Sequence, residues 1–180
     1  MKVKINGAET VMITTIIFDW GGVLAPSDTA LVAKKLVKKY KFKEKATKKL
    51  LDEFERPYYK SKNYAGYFKK IEKILGIKAR EMGKLLSTAH ATHMLKVAAK
   101  LKKNYRIHLL SNQMHFRTRY IRSHNNLSFF DMVLFSSEVG MMKPEKQIYY
   151  YILKKIKQKP QQCLFIDDNK DNIKAAKKLG

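Results

Sequence analysis

An α/β architecture, a parallel sheet with helices on both faces, is what this sequence of 180 residues predicts. Three observations predict it. Four short apolar runs are rich in β-branched and aromatic residues and too brief for helices, as buried parallel strands are. Helical periodicities alternate with these runs, and strand–helix alternation builds a parallel sheet. Each run ends on polar, reactive residues, and open sheets of this kind bind ligands beyond the carboxyl ends of their strands.

Taken in order, Met12 is a second candidate start, which would make residues 1–11 a tail. The apolar stretch 11–18 contains two threonines and ends on Asp19 without a small-residue cleavage site, so it is not read as a signal peptide. Residues 13–18 are the first strand. From Leu24 to Ala89 no strand-like run occurs. The pattern there predicts helices from Ser27 or Asp28 to Tyr40, over 45–60, over 64–75 with Gly76 as the C-cap, and over 78–88. A crossover between parallel strands needs only about a dozen residues. Residues 25–89 are therefore expected as a helical cap inserted over the strand ends, with 12–24 and 90–180 forming the core. A helix over 90–103 carries Met94, Leu95, Ala98 and Leu101 on one face. Strands follow at 106–110, 132–135 and 163–166, with a helix at 146–158 whose apolar face is Ile148, Ile152, Leu153 and Ile156. Leu179-Gly180 reads as a helix C-cap, at the point where a further edge strand is expected.

Lysine and arginine number 38 against 15 acids, a formal net charge of +23. Such an excess raises nucleic acid as a partner, because counterion release rewards a basic surface. Only six of the 38 are arginines, however, and arginine is the residue for bidentate phosphate and base recognition. The lysines come as doublets on helical patterns, such as Lys34-Lys35 and Lys177-Lys178, as solvated helix faces do. Nucleic-acid binding is the lesser reading, and attraction of anionic substrates follows either way. No run approaches the 18 apolar residues of a membrane span. The single cysteine, Cys163, forms no internal disulfide and suits a reducing, cytoplasmic setting.

The polar clusters carry the chemistry. Singly, each has a bland explanation. Gly21 and Gly22 after Asp19 make a tight turn, Ser111-Asn112 favour turns, and Lys143-Pro144-Glu145 starts a helix. Asp167-Asp168 is more telling, because adjacent carboxylates at a strand end repel unless a cation is present. Together, the stretches IIFDWGGVL, IHLLSNQ, GMMKPEKQIYYYIL and LFIDDNKDNIKAAKKLG resemble the four motifs of the haloacid dehalogenase superfamily. Asp19, Ser111, Lys143 and Asp167 follow one another at intervals of 92, 32 and 24 residues. The wording is closest to the branch of sugar-1-phosphate phosphatases and the phosphatase domain of epoxide hydrolases.

That resemblance implies a Rossmann-like core with an inserted helical cap, and a magnesium-dependent phosphatase acting on a small phosphorylated metabolite such as a sugar phosphate. It implies Asp19 as the nucleophile that forms an aspartyl-phosphate, which divides a slow hydrolysis into two steps. Mg2+ is expected on Asp19, the main-chain carbonyl of Gly21, and Asp167 or Asp168 or both. Lys143 is expected to steady the nucleophile and the phosphoryl oxygens, with Ser111 and Asn112 binding the same oxygens. Asn169 is expected to orient the Asp167-Asp168 pair.

One departure matters. Most phosphatases of this family carry a second Asp two residues beyond the nucleophile, as general acid and base, and here that residue is Gly21. Loss of such a group costs about 10²–10⁴ in rate. Three readings stay open: a leaving group that needs little protonation, such as an acyl or anomeric phosphate; a proton from water or from His90, His93, Glu55 or Tyr58; or a weakened protein that binds nucleic acid or another polyanion. Some sugar-phosphatase relatives resemble this chain in having Gly there, which favours retained activity. The dehalogenase branch usually has Tyr, which argues against a carbon–halogen substrate. Trp20, beside the nucleophile, is expected at the substrate entrance. Tyr149-Tyr150-Tyr151 suits core packing better than base stacking.

Overall fold

The computed structural model describes residues 2–5, 9–86 and 90–180. Four strands form one parallel sheet in the order β5-β4-β3-β6: β3 Thr15–Phe18, β4 Arg106–Ser111, β5 Met132–Phe135 and β6 Cys163–Ile166. The pairing Phe18↔Ile166 sets Asp19 level with Asp167, and Phe18↔Leu109 brings the end of β4 alongside. Three of the four polar clusters therefore leave the sheet at one rim. Residues 13 and 14, expected in the first strand, lie outside it, although Thr14 still bonds across to Gln162 and Arg106.

Both faces of the sheet are covered, which accounts for the near-continuous apolar strands. Ile16, Phe18, Ile107 and Leu109 pack with α5 (His93–Leu101) and α6 (His115–His124). Ile17, Leu110 and Leu134 pack with α8 (Lys146–Ile156) and α9 (Lys170–Lys177). Helix α5 starts at His93 rather than 90 because Thr92 caps it, accepting from the Met94 amide and donating its hydroxyl to the Leu24 carbonyl.

Between β3 and β4 lie α1 (Asp28–Tyr40), α2 (Glu44–Glu55), a 3₁₀ turn (Arg56–Lys60), α3 (Ala65–Leu75) and α4 (Ala79–Leu86). The single helix expected over 45–60 breaks at Glu55, since Pro57 lacks an amide hydrogen and its ring opposes a continued α-helix. Residues 87 and 88 of the expected fourth helix lie outside the described residues. These helices share a cluster of their own, with Val32, Leu36, Leu51, Tyr67, Ile71 and Met82 buried, and Met114 joins it from the loop after β4.

Ahead of the sheet, β1 (Lys2–Ile5) pairs antiparallel with β2 (Glu9–Met12). The alternation of Val3 and Ile5 with Lys2 and Lys4 along the sequence is a strand pattern. Among the described residues no helix is long and apolar enough to cross a membrane. A four-residue helix, α7 (Ser136–Val139), follows β5.

Candidate active site

Asp19 leaves β3 with its amide bonded to the Ile166 carbonyl at 2.8 Å, which locks it beside Asp167. The chain then turns sharply. The Trp20 carbonyl accepts from the amides of residues 23, 24 and 25, and Gly22 donates to Ala25 at 2.7 Å. Gly22 has φ +78, which strains any other residue, and a Cβ there would fall 2.1 Å from Asp168 Oδ2, so a side chain at this position would displace the carboxylate it faces. At Gly21 a Cβ would meet nothing nearer than the Ser27 Cα at 4.0 Å.

Lys143 is buried, with its Nζ 2.8 Å from Asp19 Oδ1 and 2.6 Å from Asp167 Oδ2. Its backbone is held from both sides by the Asn112 carboxamide, which donates to the Lys143 carbonyl at 2.8 Å and accepts from the Lys143 amide at 2.9 Å. The Asn112 side chain is thus spent on the lysine loop. Ser111, buried at the end of β4, lies beside the Asp19 carboxylate and favours its charged form. Asp167 also accepts from the Asn169 amide at 2.8 Å and from Asn172 Nδ2 at 3.0 Å on both oxygens. The Asn169 side chain, expected to orient the carboxylates, caps α9 by accepting from the amides of Asp171 and Asn172. Asn169 acts on Asp167 through its main chain, and the orienting carboxamide belongs to Asn172.

One oxygen from each of Asp19, Asp167 and Asp168 lies within 4.8 Å of the others. Burial pushes the Asp19 carboxyl up from its ordinary 3.8; Lys143 opposes this and the Asp167 charge adds to it. Asp168 is pushed up by burial and then by the charges of Asp19 and Asp167. Three carboxylates around one ammonium leave an excess of negative charge, and a hard divalent cation with oxygen ligands fits that donor set.

The site opens on a cavity of about 470 Å³, with Asp19, Gly21, Ser111, Asn112, Lys143, Asp168 and Asn169 in its wall on the sheet side. Lys48, Asp52, Glu55, Arg56 and Tyr59 close it from α2 and the 3₁₀ turn. Trp20 is a correction. It is fully buried in the core cluster, because it continues the two-residue alternation of Ile16 and Phe18, and it does not line the entrance. His90 and His93 are exposed, with His90 against Tyr120 and His124. Tyr58 packs edge-on against Tyr67. Of the proton donors named from sequence, Glu55 is the one in the cavity wall. Tyr149 is buried and donates to the Asn172 carbonyl, while Tyr150 is exposed, so the three tyrosines form no common platform.

A buried charge cluster in this wall was not read from the sequence. Arg117 of α6 makes a bidentate pair with Glu55 at 2.9 and 3.0 Å and a longer contact with Asp28 at 3.4 Å. Tyr59 and Tyr67 donate to the two oxygens of Glu55 at 2.9 and 3.3 Å. These residues lie on α1, α2, the 3₁₀ turn, α3 and α6, so no local pattern announces them.

A model of the haloacid dehalogenase-like hydrolases matches residues 13–180. The bifunctional epoxide hydrolase 2 of Rattus norvegicus is 45% identical over 51 residues, which are 28% of this chain and 9% of that protein. A haloacid-dehalogenase-family enzyme of Bacteroides thetaiotaomicron, solved with magnesium and inorganic phosphate, is 25% identical with a TM-score of 0.73, covering 93% of this chain and 91% of that one. The L-2-haloacid dehalogenase of Xanthobacter autotrophicus shares the fold at 16% identity and a TM-score of 0.73, over 94% of this chain and 75% of its own. This chain belongs to the haloacid dehalogenase-like hydrolase family.

Proposed function

We propose that the protein is a magnesium-dependent phosphatase that hydrolyses a small phosphorylated metabolite, a sugar phosphate or similar, through an aspartyl-phosphate on Asp19. The observation that carries this is the convergence of Asp19, Asp167 and Asp168 within 4.8 Å, with the Lys143 ammonium between the first two. A carboxylate nucleophile approaches a phosphate dianion only if charge is neutralised. Mg2+ held by Asp19, the Gly21 carbonyl and Asp167 or Asp168 would supply that neutralisation. Lys143 holds the Asp19 carboxylate in place and offers its charge to the phosphoryl oxygens. Ser111 and the amide of Asn112 take the same oxygens from the end of β4. Asn172 keeps Asp167 from turning away.

Residues 25–89 act as the cap, and the polar residues of α2 and the 3₁₀ turn that face the cavity suit a hydroxyl-rich leaving group. The relative with magnesium and phosphate bound supports the choice of ion, and the segment shared with the epoxide hydrolase supports the phosphatase branch. The test is hydrolysis of an activated aryl phosphate with magnesium, by the wild type and by Asp19→Asn. Turnover that disappears in the variant is expected. Turnover that survives it overturns the assignment of the nucleophile.

A further inference from the structure

We infer that Asp28 is the group that protonates the leaving oxygen and then activates the hydrolytic water, a reading that rests on the phosphatase chemistry proposed above. Six other carboxyls line the cavity or adjoin its metal-ligand set, and each has another use or faces solvent, as Asp171 does in the first turn of α9, beside Lys174 at 3.6 Å. Asp19 is the nucleophile, and Asp167 is fixed by Lys143, Asn169 and Asn172. Asp168 is packed against Gly22. Asp52 is paired with Lys48 at 2.7 Å. Glu55 gives both oxygens to Arg117 and receives two tyrosine hydroxyls. Asp28 is left with one long contact to Arg117 and lies near the Gln113 side chain.

Its place in the fold suits the task. The space that a side chain at Gly21 would enter is bordered by the Cα of Ser27, the residue before Asp28, and Asp28 opens α1 in the wall shared with Asp19 and Gly21. The link is short and rigid, since Gly21 bridges to Ala25 and Gly22 donates to the Ala25 carbonyl. Charge counting agrees. Arg117 and Glu55 neutralise one another, so a charged Asp28 would be a buried excess anion, only 8% exposed. Burial outweighs the pull of Arg117 and raises the Asp28 carboxyl above its ordinary 3.8, which favours the protonated acid.

The step balances as follows. An Asp19 oxygen bonds to phosphorus while the bond from phosphorus to the leaving oxygen breaks, and that oxygen keeps the electron pair and takes the Asp28 proton. Water then attacks the aspartyl-phosphate, gives one proton to the Asp28 carboxylate, and the Asp19–phosphorus bond breaks with its electrons returning to Asp19. The products are the alcohol, phosphate and regenerated enzyme.

The test is leaving-group dependence, measured with magnesium on substituted phenyl phosphates from 2,4-dinitrophenyl to unsubstituted phenyl. Asp28→Asn should lose about 10²-fold or more in kcat/KM on phenyl phosphate and keep kcat/KM on 2,4-dinitrophenyl phosphate, which covers only the steps through loss of the phenolate and also reports that the variant is folded. Its kcat on that substrate should fall, because the aspartyl-phosphate is hydrolysed more slowly. Gly21→Asp placed in the Asp28→Asn background should restore phenyl phosphate turnover. A loss that is uniform across the series, or no loss at all, overturns the role of Asp28 and leaves the phosphatase reading intact. Absence of any Asp19-dependent turnover in the wild type overturns both.

Discussion

Gly22→Ala separates fold stability from metal binding. The added methyl would sit 2.1 Å from Asp168 Oδ2 and 2.4 Å from its Cγ. Ordinary contact between non-bonded heavy atoms is about 3.5 Å, so the carboxylate must retreat by about 1 Å or more. The backbone adds a left-handed conformation at φ +78, which costs a non-glycine residue about 1–2 kcal/mol. In a chain of this size that lowers Tm by about 2–8 °C. Because the displaced group is a proposed magnesium ligand, magnesium affinity should fall about 10–100-fold, the usual effect of disturbing a ligand's support. Isothermal titration with magnesium and thermal melting, run on the same samples, read the two effects separately. Gly21→Ala is the contrast. Its Cβ meets nothing within 4.0 Å, so stability should stay within about 0.5 kcal/mol. If Gly22→Ala binds magnesium as tightly as the wild type, Asp168 is not a ligand and Asp167 alone of that pair holds the ion.

Two further predictions concern buried charge. Arg117→Met strands the Asp28 and Glu55 carboxyls and should cost about 3–5 kcal/mol in denaturant unfolding. Adding Glu55→Gln should recover part of that, because one stranded anion is removed. Both carboxyls are held above their ordinary values of 3.8 and 4.5, so the native state binds protons that the unfolded chain has released. The Arg117→Met variant should therefore lose stability as pH rises from about 4, and a variant equally unstable at all pH values would contradict this. His108 behaves in the opposite sense. It is buried, neither ring nitrogen has a partner among the described residues, and burial pushes its pKa below 6.5. The unfolded chain takes up a proton that the native state refuses, so stability should fall as pH drops through 6.5. His108→Leu should flatten that slope, and an unchanged slope would place its origin elsewhere.

The parts legible in the sequence are those set by near neighbours. Strand β6 at 163–166 follows from a short apolar run, and α3 closes at Gly76 as its C-cap predicts. Asp19, Ser111 and Asp167 each come at the end of a strand run and Lys143 just before a helix, and the resemblance of that order to the family's motifs is what names them. The inward position of Trp20 is also local, since it continues the alternation of Ile16 and Phe18. The same period of two marks Lys2–Ile5 as a strand.

What the sequence determined by itself was the parallel α/β plan and the sites along the chain where reactive groups leave the strands, because a periodic pattern needs only local geometry to be read. What tertiary structure alone decided was how those groups are used. Asn172 rather than the Asn169 side chain holds Asp167, Asn112 is committed to the Lys143 loop, and Arg117 joins Glu55 and Asp28 across 62 and 89 residues of chain. Hydrogen bonds and ion pairs are satisfied by whichever partner packing brings near, and in a low-dielectric interior that choice carries a large energy. No periodicity records it, so it was visible only when the helices between β3 and β4 had closed over the sheet.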